Sequence, residues 1–254
     1  MPRDPKVPLT VVIAARNAAA HIGPCVASVA GWADEVLVVE NDSIDETVLL
    51  ASVEGATVFS HPFSTIGGQR NAAIERARHA WILVLDADER CTAALAEEVA
   101  RVVAAPGVIE AYRVRRRNFF LGREIRHGGW ERDRPVRLFR GSLRYDPRPV
   151  HEHVVLSHPA SELRAAMLHY TYASLDEYFE KFGRYSQWWA QQSFEHGRRT
   201  SALAVLLRPP ARFLGMYLLR LGFLDGAHGL VLAVLAAMSV GAKYARLWAL
   251  GRRR

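Results

Sequence analysis

Cysteine is nearly missing from this chain: of 254 residues only Cys25 and Cys91 carry a thiol, with no C-x-x-C and no ligand-like spacing to a histidine. That leaves no basis for a disulfide framework or a cysteine-bound zinc, and it fits a reducing compartment in which both thiols are small buried side chains. Charge is sparse as well, at 23% of residues against 50% hydrophobic, which excludes a disordered composition. No repeat or low-complexity segment breaks the sequence. The opening MPRDPKVP has charges and three prolines before any apolar run, so no secretory leader is expected and the chain is expected to begin in the cytoplasm. No run reaches the roughly 20 apolar residues of a spanning helix.

What is present in excess is base. Lys and Arg number 33 against 26 acids, a net charge of +7 carried mostly by Arg. Such an excess accompanies nucleic acid, phosphate-bearing substrates and anionic membrane surfaces alike, so its placement has to decide.

Residues 9–15 form a β-branched apolar run, a predicted first strand ending at Arg16 and Asn17. Ile22, Val26 and Val29 follow at helical spacing. Strands are predicted over 36–39 and 57–60, with a helix over 47–52 between them. Gly67 and Gly68 precede a predicted helix over 69–80, and a further strand is predicted over 81–85. This alternation is the rhythm of a doubly wound sheet with right-handed crossovers. After a helix over 92–104 the pattern changes: strands are expected over 110–117, 137–140 and 154–156, around a long loop at 122–135. The Arg113 to Arg117 cluster on the first of these suits phosphates of an acidic acceptor or a solvated face. From Ser174 on the chain reads as helical, with Leu175, Tyr178, Phe179, Phe182, Tyr185 and Trp189 on one face.

Two strongly apolar pieces follow, one over 202–207 and 213–224 interrupted by Arg208, Pro209 and Pro210, the other over 229–242 without any charge. Arg198, Arg199, Arg208, Arg212, Arg220, Arg246 and the terminal arginines flank or punctuate them. Helices lying in a membrane interface against anionic lipid have this pattern, and so has a hydrophobic hairpin packed on the sheet domain. Basic charge placed beside apolar helices points to a membrane surface and away from nucleic acid.

Three predicted strands end in polar clusters: Arg16 with Asn17, Glu40 to Asp45, and Asp86 to Glu89. In a parallel sheet all three fall on the carboxyl edge, where such folds bind ligands. Residues 81–85 are continuously apolar, as in a strand covered on both faces, and stop abruptly at acid. Asp86 and Asp88 are two apart and face one way on an extended chain, so they can share a hard divalent cation; a solvated turn after a buried strand gives the same D-x-D. With Gln69, Arg70 and Asn71 at a glycine-initiated helix, the set has what a diphosphate leaving group requires. A nucleotidyltransferase would need a Gly-rich, Lys-bearing loop after the first strand, and AARNAAA has neither. A nucleotide-sugar-binding protein without turnover is the non-enzymatic alternative.

The motifs VVIAARN (11–17), VVENDSIDET (38–47), GGQRNAA (67–73) and LDADE (85–89) resemble those of glycosyltransferase family 2 enzymes with the GT-A fold. The resemblance continues through RRNFFLG (116–122), HGGWERDRPVRLFR (127–140), VHE (150–152), HYTYASLDEYFEKFGRYS (169–186) and GFLDGAHGL (222–230). These later motifs are similar to the branch that includes lipopolysaccharide core β-1,4-glucosyltransferases. The resemblance implies an α/β fold, a GT-A domain over about 1–170 with a mixed, mainly parallel sheet. A nucleotide-sugar half at about 7–106 and an acceptor half at about 107–170 are expected, followed by a helical, membrane-associating extension over 171–254.

It further implies a magnesium or manganese ion on the diphosphate of a nucleotide sugar, with Asp86 and Asp88 at the metal and His151 a third ligand. Ala15 and Arg16 match the loop beside the base, Glu40 and Asp42 the nucleoside side, and Gln69 and Arg70 the diphosphate. Glu40 and Asn41 replace the usual acids and Asp42 stands where glycine is common; uridine is the default base. Asp133 matches the catalytic base, with Glu152 the alternative, and a polar strand end accounts equally for His151 to His153. Trp130 and Arg134 fall on the acceptor side, where Trp130 is a sugar platform or a packing residue. The implied reaction is inverting transfer of a hexose, glucose from a UDP-linked donor, to a lipid-linked or lipopolysaccharide-core acceptor. The enzyme is expected to sit peripherally on the cytoplasmic face of the inner membrane and to bind no nucleic acid.

Overall fold

The computed structural model describes residues 6–105, 107–148 and 152–252. They fall into two compact units, 6–116 with 134–169, and 117–133 with 170–252. Residues 117–133, expected within the acceptor half, therefore group with the C-terminal helices.

The first unit alternates strand and helix as the sequence predicts: β1 (Val7–Ala15), α1 (Ala19–Ala30), β2 (Ala33–Glu40), α2 (Thr47–Val53), β3 (Thr57–Ser60), α3 (Ile66–Arg76), β4 (Trp81–Asp86), the short β5 (Glu89–Arg90) and α4 (Ala93–Ala104). Then come β6 (Ala111–Phe120), which continues into the second unit, β7 (Arg123–Ile125), β8 (Val136–Arg140) and β9 (Ser161–Tyr172). The sheet order is β3-β2-β1-β4-β8-β6-β9-β5, with β7 on β6. β1 to β4 are mutually parallel, while β8 runs antiparallel to β4, and β6 to β8. The sheet is mixed, and its parallel part, β1 to β4, falls within the half expected to hold the nucleotide sugar.

Period-two alternation builds the core on both faces. Leu9, Val11 and Ile13 join Ile22, Val26, Leu95 and Val99 on one side, while Val12 joins Ile74, Val84 and Phe139 on the other. Both cysteines are buried, and burial pushes the Cys91 thiol up to about 12. Two local expectations are corrected. Residues 154–156 form no strand, only an isolated bridge from Val154 to Tyr145. The expected loop at 122–135 contains β7 and a 3₁₀ turn at Trp130–Arg132.

The second unit holds that turn and three helices, α5 (Leu175–Glu195), α6 (Ala202–Leu214) and α7 (Gly226–Leu250). A π-helical turn at Gly215–Leu219 and a 3₁₀ turn at Gly222–Asp225 join the last two. Its core is Phe120, Ile125, Tyr178, Met216, Leu232, Ala233 and Leu235, and the Tyr178 hydroxyl donates to the Leu235 carbonyl at 2.8 Å. The aromatic face of α5 is only partly covered: Tyr178 is buried, but Leu175, Phe179 and Tyr185 are exposed. α7 is longer than the apolar pattern indicates. By length and composition alone, Ala202–Leu219 and Gly222–Leu250 could each cross a membrane.

Candidate active site

Register brings the three polar clusters of the first unit to one edge, because Ala14 pairs with Asp86 and Ala15 with Glu40. The loops that leave this edge are braced by their own polar residues. Asn17 and Asp42 take left-handed backbone angles, φ 47° and 49°, which these two residue types tolerate better than other side-chain-bearing residues. The Asn17 side chain accepts from the Ile44 amide at 2.9 Å, and Asp45 accepts from the Ala19 amide at 3.0 Å and the Thr47 amide at 3.1 Å. Glu40 is buried and accepts from the Ser43 amide at 3.0 Å and from the Ser60 hydroxyl. The Ser60 bond, opposed by burial and helped by Ser43, holds its carboxyl below the ordinary range. Glu40 is thus engaged in shaping the loop, Ala15 is buried beside it, and Arg16 and Asp42 are exposed.

Each residue of the GGQRN segment has a separate task at the start of α3. A Cβ on Gly67 would lie 2.9 Å from the Asp146 carbonyl oxygen, so only glycine allows that approach. Gln69 is buried and donates through Nε2 to the carbonyls of His61 and Pro62, both at 2.9 Å. Asn71 exchanges two hydrogen bonds of 2.9 Å with the Tyr145 backbone. Arg70 is buried, with one nitrogen 2.5 Å from Asp86 and another 2.5 Å from Glu152, its guanidinium 5.0 Å from the centre of the Tyr145 ring.

These contacts lead to a cluster of three arginines and three carboxylates. Asp86 accepts from Arg70 on one oxygen and from Arg116, at 2.8 Å, and Arg137 on the other. Glu89, fully buried, accepts from Arg116 Nε at 2.6 Å and Arg137 at 2.9 Å, while its other oxygen accepts from the Asp86 amide at 2.8 Å. Burial alone would raise the Asp86 pKa, but Arg137, Arg70 and Arg116 overcome it and hold the carboxyl well below the usual carboxylate range. The buried charges are tolerated because each has opposite partners.

Asp88 is partly exposed, with His169 Nε2 at 3.6 Å. A divalent cation on a diphosphate takes one or two protein ligands and completes its shell with phosphate oxygens and water. Asp86 does not fit that role here, because guanidinium groups occupy both of its oxygens. Asp88 with His169, an oxygen and a nitrogen donor, fits it as a partial shell. Among the described residues no three His, Cys, Asp or Glu side chains are grouped to hold an ion, and His151, the expected third ligand, lies outside them. Of the acceptor candidates, Glu152 joins the cluster through Arg70, and Arg134 pairs with Glu162 at 2.6 Å in the same unit. Asp133 and Trp130 belong to the second unit. Trp130 packs edge-on to Phe120 with ring centres 6.5 Å apart, and Asn118 donates to its carbonyl at 2.8 Å.

The model of the family described as glycosyl transferase family 2 matches residues 10–160. The chain is a family 2 glycosyltransferase. Over nearly its whole length this transferase is similar to the lipopolysaccharide core biosynthesis glycosyltransferase LpsC of Rhizobium meliloti (strain 1021), at 30% identity over 95% of this chain and 94% of that one. An uncharacterized glycosyltransferase of Rickettsia typhi is 24% identical over 94% of the chain and 86% of its own length. Among solved structures, glucosyl-3-phosphoglycerate synthase from Mycobacterium tuberculosis, in complex with Mg2+ and UDP, superposes on 43% of each chain with a TM-score of 0.38 at 21% identity.

Arg116, Arg137 and Glu89 complete this candidate site, and the sequence alone singled out none of them individually. The signal was available in the strand period. Arg116 is two residues from Val114 and from Asn118, both buried, and Arg137 is two from buried Phe139, so each arginine points inward with the core face of its strand.

Proposed function

We propose that this glycosyltransferase moves a hexose, glucose, from a UDP-linked donor to a lipid-linked or lipopolysaccharide-core acceptor, with inversion, at the cytoplasmic face of the inner membrane. The observation that carries the reading is the carboxyl edge of the parallel strands, where Asp88 faces His169 beside a buried arginine cluster. Asp88 and His169 would hold magnesium or manganese, which supplies charge neutralisation of the diphosphate leaving group. Arg70, Arg116 and Arg137, matched in charge by Asp86, Glu89 and Glu152, set guanidinium groups at the same edge. Ala15, Arg16 and Asp42 line the nucleoside side, with Glu40 and Gln69 shaping the loops that carry them.

We assign proton removal from the acceptor hydroxyl to Asp133, which matches the family's catalytic base, with Glu152 the alternative, and Trp130 and Arg134 to acceptor binding. Likeness to a lipopolysaccharide core enzyme over almost the whole chain supports the acceptor class. The membrane reading rests on the C-terminal helices. Between Asp225 and Lys243 lie 17 residues without formal charge, about 25 Å of helix against a hydrocarbon core of about 30 Å. Arg208 and Arg212 interrupt the other segment, and a central charge costs about 2.5–3.5 kcal/mol even by insertion scales. Both helices therefore suit the interface better than a span.

The test is a thermal-shift screen of the purified chain against nucleotide sugars with and without manganese, followed by turnover assays. UDP-glucose with manganese is expected to raise the melting temperature most. Asp88→Ala is expected to abolish that manganese-dependent gain and turnover with the fold intact; retained turnover would refute the assignment.

A further inference from the structure

In the second unit basic side chains outnumber acidic ones. From Ala202 to Arg252 the only acid is Asp225, and that side chain is buried, accepting from the Arg126 and His127 amides and lying 3.1 Å from His127 Nδ1. On α5, Glu177 pairs with Lys181 at 2.6 Å, Glu180 with Arg184 at 4.0 Å, and Glu195 accepts from Gln191. Arg208, Arg212 and Lys243 are in none of these pairs.

These three cations are gathered where α5, α6 and α7 meet. Arg208 donates to the Tyr244 hydroxyl at 2.9 Å and lies 4.4 Å from the centre of that ring. Tyr244 stands 5.0 Å from Trp189, and Lys243 Nζ is 5.9 Å from the Trp189 ring centre. Arg212 and Lys243 are partly buried. Burial first, and then the charge of Arg212, hold the Lys243 ammonium below its ordinary range; burial and Arg220 act on Arg212 in the same direction. Like charges drawn together, two of them partly buried, with no acid paired to them among the described residues, favour an anion from outside the chain. The surroundings indicate its kind. Leu203, Leu206 and Leu207 on α6 and Val234 and Met238 on α7 are exposed, apolar surface on the two helices that carry the cations, which acyl chains would cover and a soluble anion would not need. Partly buried Trp and Tyr at the edge of an apolar surface are the side chains that sit at headgroup depth.

We propose that Arg208, Arg212 and Lys243, backed by Tyr244 and Trp189, form a binding site for the phosphate of an anionic phospholipid headgroup. The site rests on the reading of the C-terminal helices as membrane-associated, and goes further by naming the cations that select the lipid.

The experiment is flotation of the full chain with vesicles of phosphatidylcholine alone or mixed with phosphatidylglycerol, with and without excess inorganic phosphate. Two doubly neutralised variants accompany the wild type, R212Q/K243Q in the cluster and R246Q/R252Q outside it, each checked for folding by circular dichroism. Wild type is expected to prefer the phosphatidylglycerol vesicles. R212Q/K243Q is expected to lose roughly 30-fold in partitioning onto them, from about one basic-residue increment per charge, and R246Q/R252Q to keep most of it. Equal loss in both variants would reduce the site to diffuse attraction and overturn it, as would an unchanged lipid preference in R212Q/K243Q. Inorganic phosphate that protects wild type from thermal unfolding, without any gain on anionic vesicles, would reassign the site to a soluble anion. A wild type that floats with neither vesicle overturns the membrane reading itself.

Discussion

Burial would drive the Asp86 carboxyl toward its neutral form, and three arginines reverse that, holding its pKa well below the ordinary range. In the unfolded chain the same carboxyl titrates near 4. Above about pH 5 both states are ionised and the stabilisation is complete; as pH falls through 4 the unfolded chain takes up the proton first, so stability is lost progressively toward the native value. The melting temperature of wild type is expected to fall between pH 5 and 3, and that of Asp86→Asn to start lower and fall less. Parallel slopes would show that Asp86 is not a source of the acid sensitivity. Arg137→Met is expected to cost about 3–5 kcal/mol in urea unfolding, because it strands charge on Asp86 and fully buried Glu89; adding Glu89→Gln should recover part of that loss. The D-x-D was legible in the sequence as a polar strand end. Its division of labour was not, because whether Asp86 meets a cation or a guanidinium depends on Arg116 and Arg137, which come from strands 30 and 51 residues further along the chain.

Among the elements, those with strong periodicity were read correctly, and the misreadings fall where tertiary context replaces a local pattern. β1 to β4 have β-branched runs with polar stops, and the register does the rest. β9 escaped notice because its burial changes irregularly along Ser161–Tyr172, leaving no clean alternation. The GFLDGAHGL segment was legible only as a motif; its physical content is an elbow. A Cβ on Gly229 would come within 1.9 Å of the Gly222 carbonyl oxygen, and Asp225 holds the backbone at Arg126 and His127 from the other side of the turn. The same elbow receives the Gly128 amide on the Arg220 carbonyl at 2.8 Å. The loop bearing Trp130 and Asp133 is therefore fastened to the helical hairpin within its own unit. Gly229→Ala is expected to destabilise this unit far more than Gly241→Ala, whose added Cβ would meet only Pro209 at 3.4 Å. Asp225→Ala should cost about 1–3 kcal/mol per amide left unpaired. Hydrogen exchange over 126–133 is the measurement, and unchanged protection there in Asp225→Ala would break the link between elbow and loop.

For the whole molecule, a family match over 10–160 establishes the reaction class, while the proposed membrane attachment rests on the residues beyond it. Deleting the chain from Gly197 is a poor probe of membrane attachment, because Met216, Leu232 and Leu235 belong to the same core as Phe120 and Tyr178, so the deletion would unfold what it is meant to release. The exposed face of α6 gives a cleaner probe. Leu203, Leu206 and Leu207 are 61%, 69% and 54% exposed, so replacing them with Glu removes little packing, and exposed substitutions usually change stability by no more than about 0.5 kcal/mol each. At an interface each leucine that enters the acyl boundary contributes about 1.5–3 kcal/mol. The triple variant L203E/L206E/L207E is thus expected to melt close to wild type yet move from the membrane to the soluble fraction, while keeping turnover on a water-soluble acceptor fragment. If its membrane fraction equals that of wild type, the apolar face of α6 is not the attachment surface, and the charge along 202–252 must serve a soluble partner instead.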